Sequence, residues 1–226
     1  LRLGGEVPRL LVLEGDAGKI TSMQTKLLSE AFTSSERMVH LINDFLNVSR
    51  LQTGKFMLEA QPVDLSKIVL QEVESLQTTA HAHGMKLRYR APAYFPTLSI
   101  DEGKIRQVLM NFIDNAIYYS HEETTIDVSL KVEDGAAVLK VHDTGIGVPK
   151  SEQEGLFTKF FRATNARKQR PDGTGVGLFL AKKVIVAHGG RMLFESVQDQ
   201  GSTFGFRLPI KKLSDAAAKH SKKFEQ

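Results

Sequence analysis

The 226-residue chain contains neither cysteine nor tryptophan. Without cysteine there is no disulfide framework and no thiolate metal site, and such a composition suits a reducing compartment, so a cytoplasmic location is expected. No apolar run approaches the roughly 18 to 20 residues that a membrane span requires, and no charged segment followed by a long apolar stretch opens the chain. Membrane contact by this segment is therefore not expected. The first residue is Leu1 rather than Met, which leaves room for a longer parent, including a membrane-anchored one. Internal repeats and low-complexity tracts are lacking too. What is present is a 41% hydrophobic fraction, enough to bury a sizeable core. One compact domain with a helical appendage fits this length. The net charge of +4 draws partly on Lys211, Lys212, Lys219, Lys222 and Lys223. With no aromatic interleaving beside them, these lysines read as a solvated, frayed tail and not as a nucleic-acid surface.

From about 22 to 52, apolar residues recur at helical spacing. Leu28, Ala31, Met38, Ile42 and Phe45 form a seam flanked by Phe32, Val39 and Leu46 and interrupted by Ser35 and Ser49. A stripe that wide needs a bundle partner, either the preceding segment or a second copy of the chain. The helix ends at Gly54, and Asp64 then caps a new one running through Val69, Val73 and Leu76. Residues 85–92 alternate as a strand, and Asp101 caps a helix that reaches Ser120. Two further strands join at Asp134 and Gly135, a hairpin signal. A helix at about 152–160 leads into the polar loop TNARKQRPDGTG, of the kind that is a functional lid or locally disordered. A helix over about 176–188 and a closing hairpin complete the pattern. The expected class is α+β, a two-layer α/β sandwich with a mixed sheet and helices on one face, preceded by a helical hairpin remnant. The domains expected are a dimerisation hairpin at 1–57 with an atypical first helix, a linker at 58–63, a catalytic domain at 64–212 and a basic flexible tail at 213–226.

Four short segments carry the chemistry. Asn111 and Asn115 stand one helical turn apart, so their amides point the same way. A carboxamide oxygen suits Mg²⁺, which keeps much of its water and is otherwise held by nucleotide phosphates. Such a pair also occurs where two asparagines simply face solvent. Asp143 begins a glycine turn, DTGIG, in which it is either an ordinary Asx turn or a carboxylate that accepts the exocyclic amino group of adenine. Gly145 and Gly147 would let the base lie close to the backbone. Gly173, Gly175 and Gly177 open directly into a helix, where exposed N–H groups and the positive helix end favour phosphate. Phe157, Phe160 and Phe161 read as an anchor for the base of the lid, and the adjacent Arg162 as a phosphate or partner contact or a surface residue.

Jointly, these segments resemble the histidine-kinase branch of the ATPases that share the Bergerat nucleotide fold, over about residues 62–210. The boxes fall at Asn111 and Asn115, at Asp143, Gly145 and Gly147, at Phe157 to Arg162, and at Gly173, Gly175 and Gly177, with a late GSTF at Gly201 to Phe204. The resemblance implies that ATP and Mg²⁺ are bound. The implied nucleotide contacts are Asn111, Asn115, Tyr118, Asp143, Gly145, Gly147, Phe157, Arg162, Gly173, Thr174, Gly175, Val176, Gly177, Leu178 and Thr203, with Asn115 on the metal. The γ-phosphoryl group would pass to a histidine and then to an aspartate on a response-regulator receiver domain, the protein acting as a homodimer through its hairpin. Gyrase, MutL and Hsp90 relatives carry a water-activating glutamate where this chain has Asn111, the candidate catalytic position, and the change favours transfer to a side chain over hydrolysis.

Two departures stand out. The segment before residue 22, where the resemblance expects the phosphoacceptor, holds no histidine. Of the seven histidines, His121 imitates the start of the acceptor motif but follows the asparagine-box helix, and His40 falls on the second hairpin helix, where packing or surface is the expected role. Tyr118 stands where family members often have a lysine that reaches the terminal phosphate. The competing readings are a degenerate nucleotide-binding scaffold without autokinase activity, and a hydrolase or serine kinase on the same fold.

Overall fold

The computed structural model describes residues 56–171 and 173–210, together with 18, 20–29, 31, 35, 38 and 42. The chain divides into two compact units, Leu1–Lys55 and Phe56–Gln226. In the first unit, residues 22–29, 31, 35, 38 and 42 are helical. Thr21 and Gln24 start this helix with a reciprocal cap. The Gln24 side-chain oxygen accepts from the Thr21 backbone N–H at 2.8 Å, and the Thr21 hydroxyl accepts from the Gln24 N–H at 3.3 Å. Seam residues Leu28, Met38 and Ile42 are exposed. Phe32, Val39, His40, Phe45, Leu46, Ser49, the helix end at Gly54 and the basic tail lie outside the described residues.

In the second unit, β1 (Gln61–Asp64) pairs antiparallel with β3 (Thr97–Ile100). A five-stranded sheet takes the order β2 (Lys86–Tyr89), β4 (Thr125–Glu133), β5 (Ala136–Asp143), β7 (Gly201–Pro209) and β6 (Arg191–Val197). It is mixed, since β2 runs parallel to β4 and every other pairing is antiparallel. Three helices complete the layer architecture, α1 (Leu65–Ala82), α2 (Glu102–Tyr119) and α4 (Gly177–Ala187), with the short α3 (Thr164–Gln169) between them in sequence. The caps expected at Asp64 and Asp101 are both made: Asp64 accepts from the Ser66 N–H and Asp101 from the Lys104 N–H, each at 3.0 Å. The β4–β5 turn has positive φ at both Asp134 and Gly135, the mirror-type geometry that suits a tight hairpin.

α2 is the central helix. Ile105, Val108, Leu109, Phe112, Ile113, Ala116 and Ile117 are buried, and full burial of each large side chain contributes about 1.5–3 kcal/mol. The same periodicity turns Asn111 and Asn115 to the opposite, half-buried side. A buried polar hub holds the start of α2. The Asp101 carboxylate also accepts from the Glu59 N–H and pairs with Lys104 at 2.9 Å, while the Asp101 N–H donates to His188 Nε2 at 3.0 Å. Burial alone would raise the Asp101 pKa, but the bonds from Lys104 and Glu59 outweigh it and hold the group below its ordinary range.

The structure departs from expectation in three places. Lys150–Gly155 is a 3₁₀ helix, not an α-helix reaching 160. Pro149 precedes it, and Phe160 turns out of helical space at φ 65°. The polar loop contains α3, whose first N–H is capped from elsewhere in the chain. Finally, β1 begins at Gln61, inside the stretch read as a linker.

Candidate functional site

α2, the end of β5 and the start of α4 meet at one place. Asn115 Nδ2 donates to Asn111 Oδ1 at 3.3 Å, which leaves the Asn115 carbonyl oxygen as the outward acceptor of the pair. Gly177, the first residue of α4, packs on this pair so closely that a Cβ there would lie 1.9 Å from Asn111 Nδ2. A side chain there would have to turn the Asn111 amide away, so the glycine sets the helix start against the amides. Val176, at the helix N-cap, is buried and supplies no side-chain cap, so the first α4 N–H groups keep the donors that an anion takes. Leu178 is half-buried and packs against the core.

Asp143 closes β5 and is buried at 4% exposure. Its Oδ1 accepts from the Gly145 N–H at 2.9 Å and from the Ser202 N–H at 3.2 Å. Burial pushes its pKa up, and these two backbone donors pull it only part of the way back. The glycine turn is fastened to the end of α2: the Ile146 N–H donates to the Tyr119 carbonyl at 3.0 Å, and Ser120 bridges to Gly145. A Cβ on Gly145 would lie 2.0 Å from that carbonyl oxygen. Carboxylate and amide pair are thus held in one frame.

Residues 163–171 and 173–175 belong to the loop read as a candidate lid. Glu152 caps α3, accepting from the Thr164 N–H at 2.7 Å and the Thr164 hydroxyl at 2.9 Å. Asn165 Nδ2 donates to the Gly147 carbonyl at 2.9 Å. Gln169 Nε2 donates to the Tyr118 carbonyl at 2.7 Å, and the Arg170 guanidinium lies 3.8 Å from the Tyr118 ring centroid. Arg162 donates to the carbonyls of Ala166, Arg170 and Pro171, and Gly173 lies against its guanidinium. Thr174 Oγ1 accepts from the Val176 N–H at 3.2 Å, and the Gly175 carbonyl accepts from the Phe160 N–H at 3.0 Å.

Two candidates stand apart from this cluster. The Phe157 ring packs edge-on to Phe194 at 5.9 Å, in a row that continues through Phe204 to Phe112 on α2. Thr203 pairs with His142 in the β5–β7 register and its hydroxyl meets the His142 ring at 3.0 Å, so it lies on the face away from Asp143. Residues not singled out in the sequence include Ser202, through its N–H, Tyr119, through its carbonyl, and the lid anchors Glu152, Asn165 and Gln169. His121 lies exposed in the turn after α2.

Residues 100–212, half of the chain, match the family described as histidine kinase-, DNA gyrase B- and HSP90-like ATPases. The chain belongs to this family. As an ATPase-family domain it is 33% identical over 194 residues to the circadian input-output histidine kinase CikA of Synechococcus elongatus, covering 85% of this chain and 26% of that protein. It is 33% identical to the sensor histidine kinase WalK of Bacillus subtilis, covering 78% of this chain and 29% of that protein. It is 31% identical to the adaptive-response sensory kinase SasA of a Synechococcus species, covering 88% and 52%. The chain thus spans between about a quarter and a half of the length of these curated relatives. Full-length ShkA, solved in complex with AMPPNP, superposes with a TM-score of 0.71 at 28% identity, over 86% of this chain and 40% of that one. The match establishes an ATP-binding fold of the α+β class. Among the described residues no helix is long and apolar enough to cross a membrane.

The donor set bears on Mg²⁺. Among the described residues no three acidic or histidine side chains form a metal cluster. The asparagine pair offers one neutral oxygen, which fits an ion that keeps its water and takes its other ligands from phosphate.

Proposed function

We propose that this domain is the catalytic core of a histidine kinase, binding Mg–ATP and delivering the γ-phosphoryl group to a histidine imidazole. The observation that carries the reading is the contact of Gly177 with Asn111, which sets an open helix N-terminus beside an amide pair. Asp143 accepts the adenine amino hydrogen through its second carboxylate oxygen, its first being occupied by Gly145 and Ser202. The α4 N–H groups take the phosphates, and Asn115 offers its oxygen to the metal. Mg²⁺, when bound, neutralises phosphate charge and fixes the phosphate geometry. Asn111, a neutral amide, has no basic group with which to deprotonate water, so hydrolysis is not promoted. The imidazole nitrogen attacks phosphorus in line, the bond to the β–γ bridging oxygen breaks, and ADP leaves. Positioning and charge neutralisation supply most of the catalysis.

The acceptor histidine belongs on a dimerisation helix, and the exposed seam of Leu28, Met38 and Ile42 suits a homodimer. The domains are read as the hairpin at 1–57, a linker that ends where β1 begins at Gln61, the catalytic domain from there to 212 and the tail at 213–226. A response-regulator aspartate is the onward acceptor. The test is incubation with γ-labelled ATP and Mg²⁺, alone and with a separate hairpin that carries an acceptor histidine. Acid-labile, base-stable label on the added hairpin is expected, and none on the chain alone. A chain that binds ATP yet labels nothing would support the second reading, a regulatory nucleotide-binding module, which Tyr118 in the lysine position favours.

A further inference from the structure

The glycine turn that follows Asp143 is fixed at its near end by the Tyr119 carbonyl and at its far end, Val148, by two side chains from outside the turn. The Val148 N–H donates to Ser196 Oγ at 2.9 Å, and the Val148 carbonyl accepts from Gln153 Nε2 at 3.0 Å. Gln153 Nε2 also donates to the Ser196 carbonyl at 3.0 Å, so both grips close on one residue of β6. The Ser196 hydroxyl then reaches β7, where it donates to the Gly201 carbonyl at 3.0 Å and meets Ser202 Oγ at 2.9 Å. A hydroxyl has one hydrogen and two lone pairs. With the hydrogen on Gly201 and one lone pair on Val148, the other takes the Ser202 hydrogen, and the group is saturated.

These partners converge on Asp143. The buried Ser202 supplies one of the two N–H groups on Asp143 Oδ1, and Gly145, inside the turn, supplies the other. Ser196 therefore joins the two segments that grip the carboxylate and stands one bond removed from it. Their packing leaves no slack: a Cβ on Gly147 would lie 2.1 Å from the Val197 carbonyl oxygen, and one on Gly201 the same distance from that of Asp143. We propose that Ser196 is a positioning residue for base recognition: its hydroxyl locks the glycine turn to the β6–β7 corner and so aims the second oxygen of Asp143 at the exocyclic amino group of adenine. The inference rests on the nucleotide reading above and adds that a side chain remote from the base sets the choice of base.

The test is calorimetric titration of ATP and ITP, each with Mg²⁺, into the wild-type chain, Ser196→Ala, Ser196→Thr and a scaffold control, Val73→Ala, which opens a cavity under α1. Alongside, the Asp143 carboxyl is titrated by NMR in the nucleotide-free proteins. Ser196→Ala should bind ATP about tenfold more weakly and ITP as the wild type does, the size expected when one hydrogen bond to a charged group is misaligned. Its Asp143 carboxyl should also titrate at higher pH than in the wild type, because the Ser202 donor has slackened. Ser196→Thr keeps the hydroxyl and should restore both values, while Val73→Ala should lower Tm and move neither. The proposal is overturned if Ser196→Ala weakens ATP and ITP alike, if Ser196→Thr behaves as Ser196→Ala, if Val73→Ala shifts the ATP-to-ITP ratio as much, or if the Asp143 titration is unmoved. If the wild type binds neither nucleotide, the underlying reading fails, and the nucleotide-free titration still decides whether Ser196 holds the carboxylate.

Discussion

The Asp143 corner and the lid both face the candidate nucleotide site, yet they are built in opposite ways. At the corner, a buried carboxylate is gripped by two backbone N–H groups, and the adjoining turn is tied by backbone to the end of α2. In the lid, side chains do the holding: Glu152 on Thr164, Asn165 on Gly147, Gln169 on Tyr118 and Arg162 on three carbonyls, mostly at exposed or half-buried positions. Groups fixed by buried backbone bonds open rarely, whereas segments held by a few solvent-facing bonds open at low cost. On the proposed reading, the difference suits two jobs: a preformed floor to read the base and a loop to cover the phosphates.

The contrast is sharpened most by Asp143→Asn. The amide keeps the oxygen that accepts from Gly145 and Ser202, so Tm should hold, but it presents a donor where the adenine amino group arrives. ATP affinity should fall by about a hundredfold, in keeping with loss of a bond to a charged group and a new unpaired donor. Calorimetry together with thermal melting checks both halves. Next comes Gly177→Ala, whose methyl group would sit 1.9 Å from Asn111 Nδ2 and must turn that amide away. Here affinity should fall by about tenfold, and overpacking should lower stability by about 1–3 kcal/mol, read as a drop in Tm.

The lid should respond differently. Asn165→Ala removes the donor to the Gly147 carbonyl. Hydrogen exchange across 163–171 should quicken in the free protein, while ATP affinity falls only a few-fold, on the order of the 0.5–1.5 kcal/mol of one neutral hydrogen bond. Equal loss at floor and lid would break the contrast.

The smallest effect concerns the scaffold beneath both regions. His188 accepts from the Asp101 N–H, and its other ring nitrogen meets the Val184 carbonyl at 2.8 Å, an arrangement that needs the neutral ring. Burial lowers its pKa below the ordinary 6.5. The unfolded chain therefore takes up a proton first, so stability is full above pH 6.5 and declines as pH falls below it. Tm should drop between pH 7.5 and 5.5, and His188→Gln should flatten that drop.

The parts of this architecture legible in the sequence were those determined locally. Asp64 and Asp101 announce helices because a cap acts on its next few residues, and Asp134–Gly135 announces a hairpin because both positions take positive φ. The meeting of Asn111 and Asn115 one turn apart was legible for the same reason. What escaped depends on distant partners. α3 is capped by Glu152, twelve residues earlier, and β1 pairs with a strand some 36 residues on. GSTF drew attention to Thr203, but the β5–β7 register brings the Ser202 N–H to Asp143 and turns Thr203 to His142. Arg162 carried a phosphate contact among its possible roles, and the structure shows it bracing the lid backbone.

The most direct test of a base-reading floor is to titrate ATP and ITP, whose base carries a carbonyl in place of the adenine amino group, into the wild-type chain and into Asp143→Asn. The wild type should bind ATP far more tightly than ITP, and the variant should lose or invert that preference. ITP binding as tightly as ATP to the wild type would contradict the account.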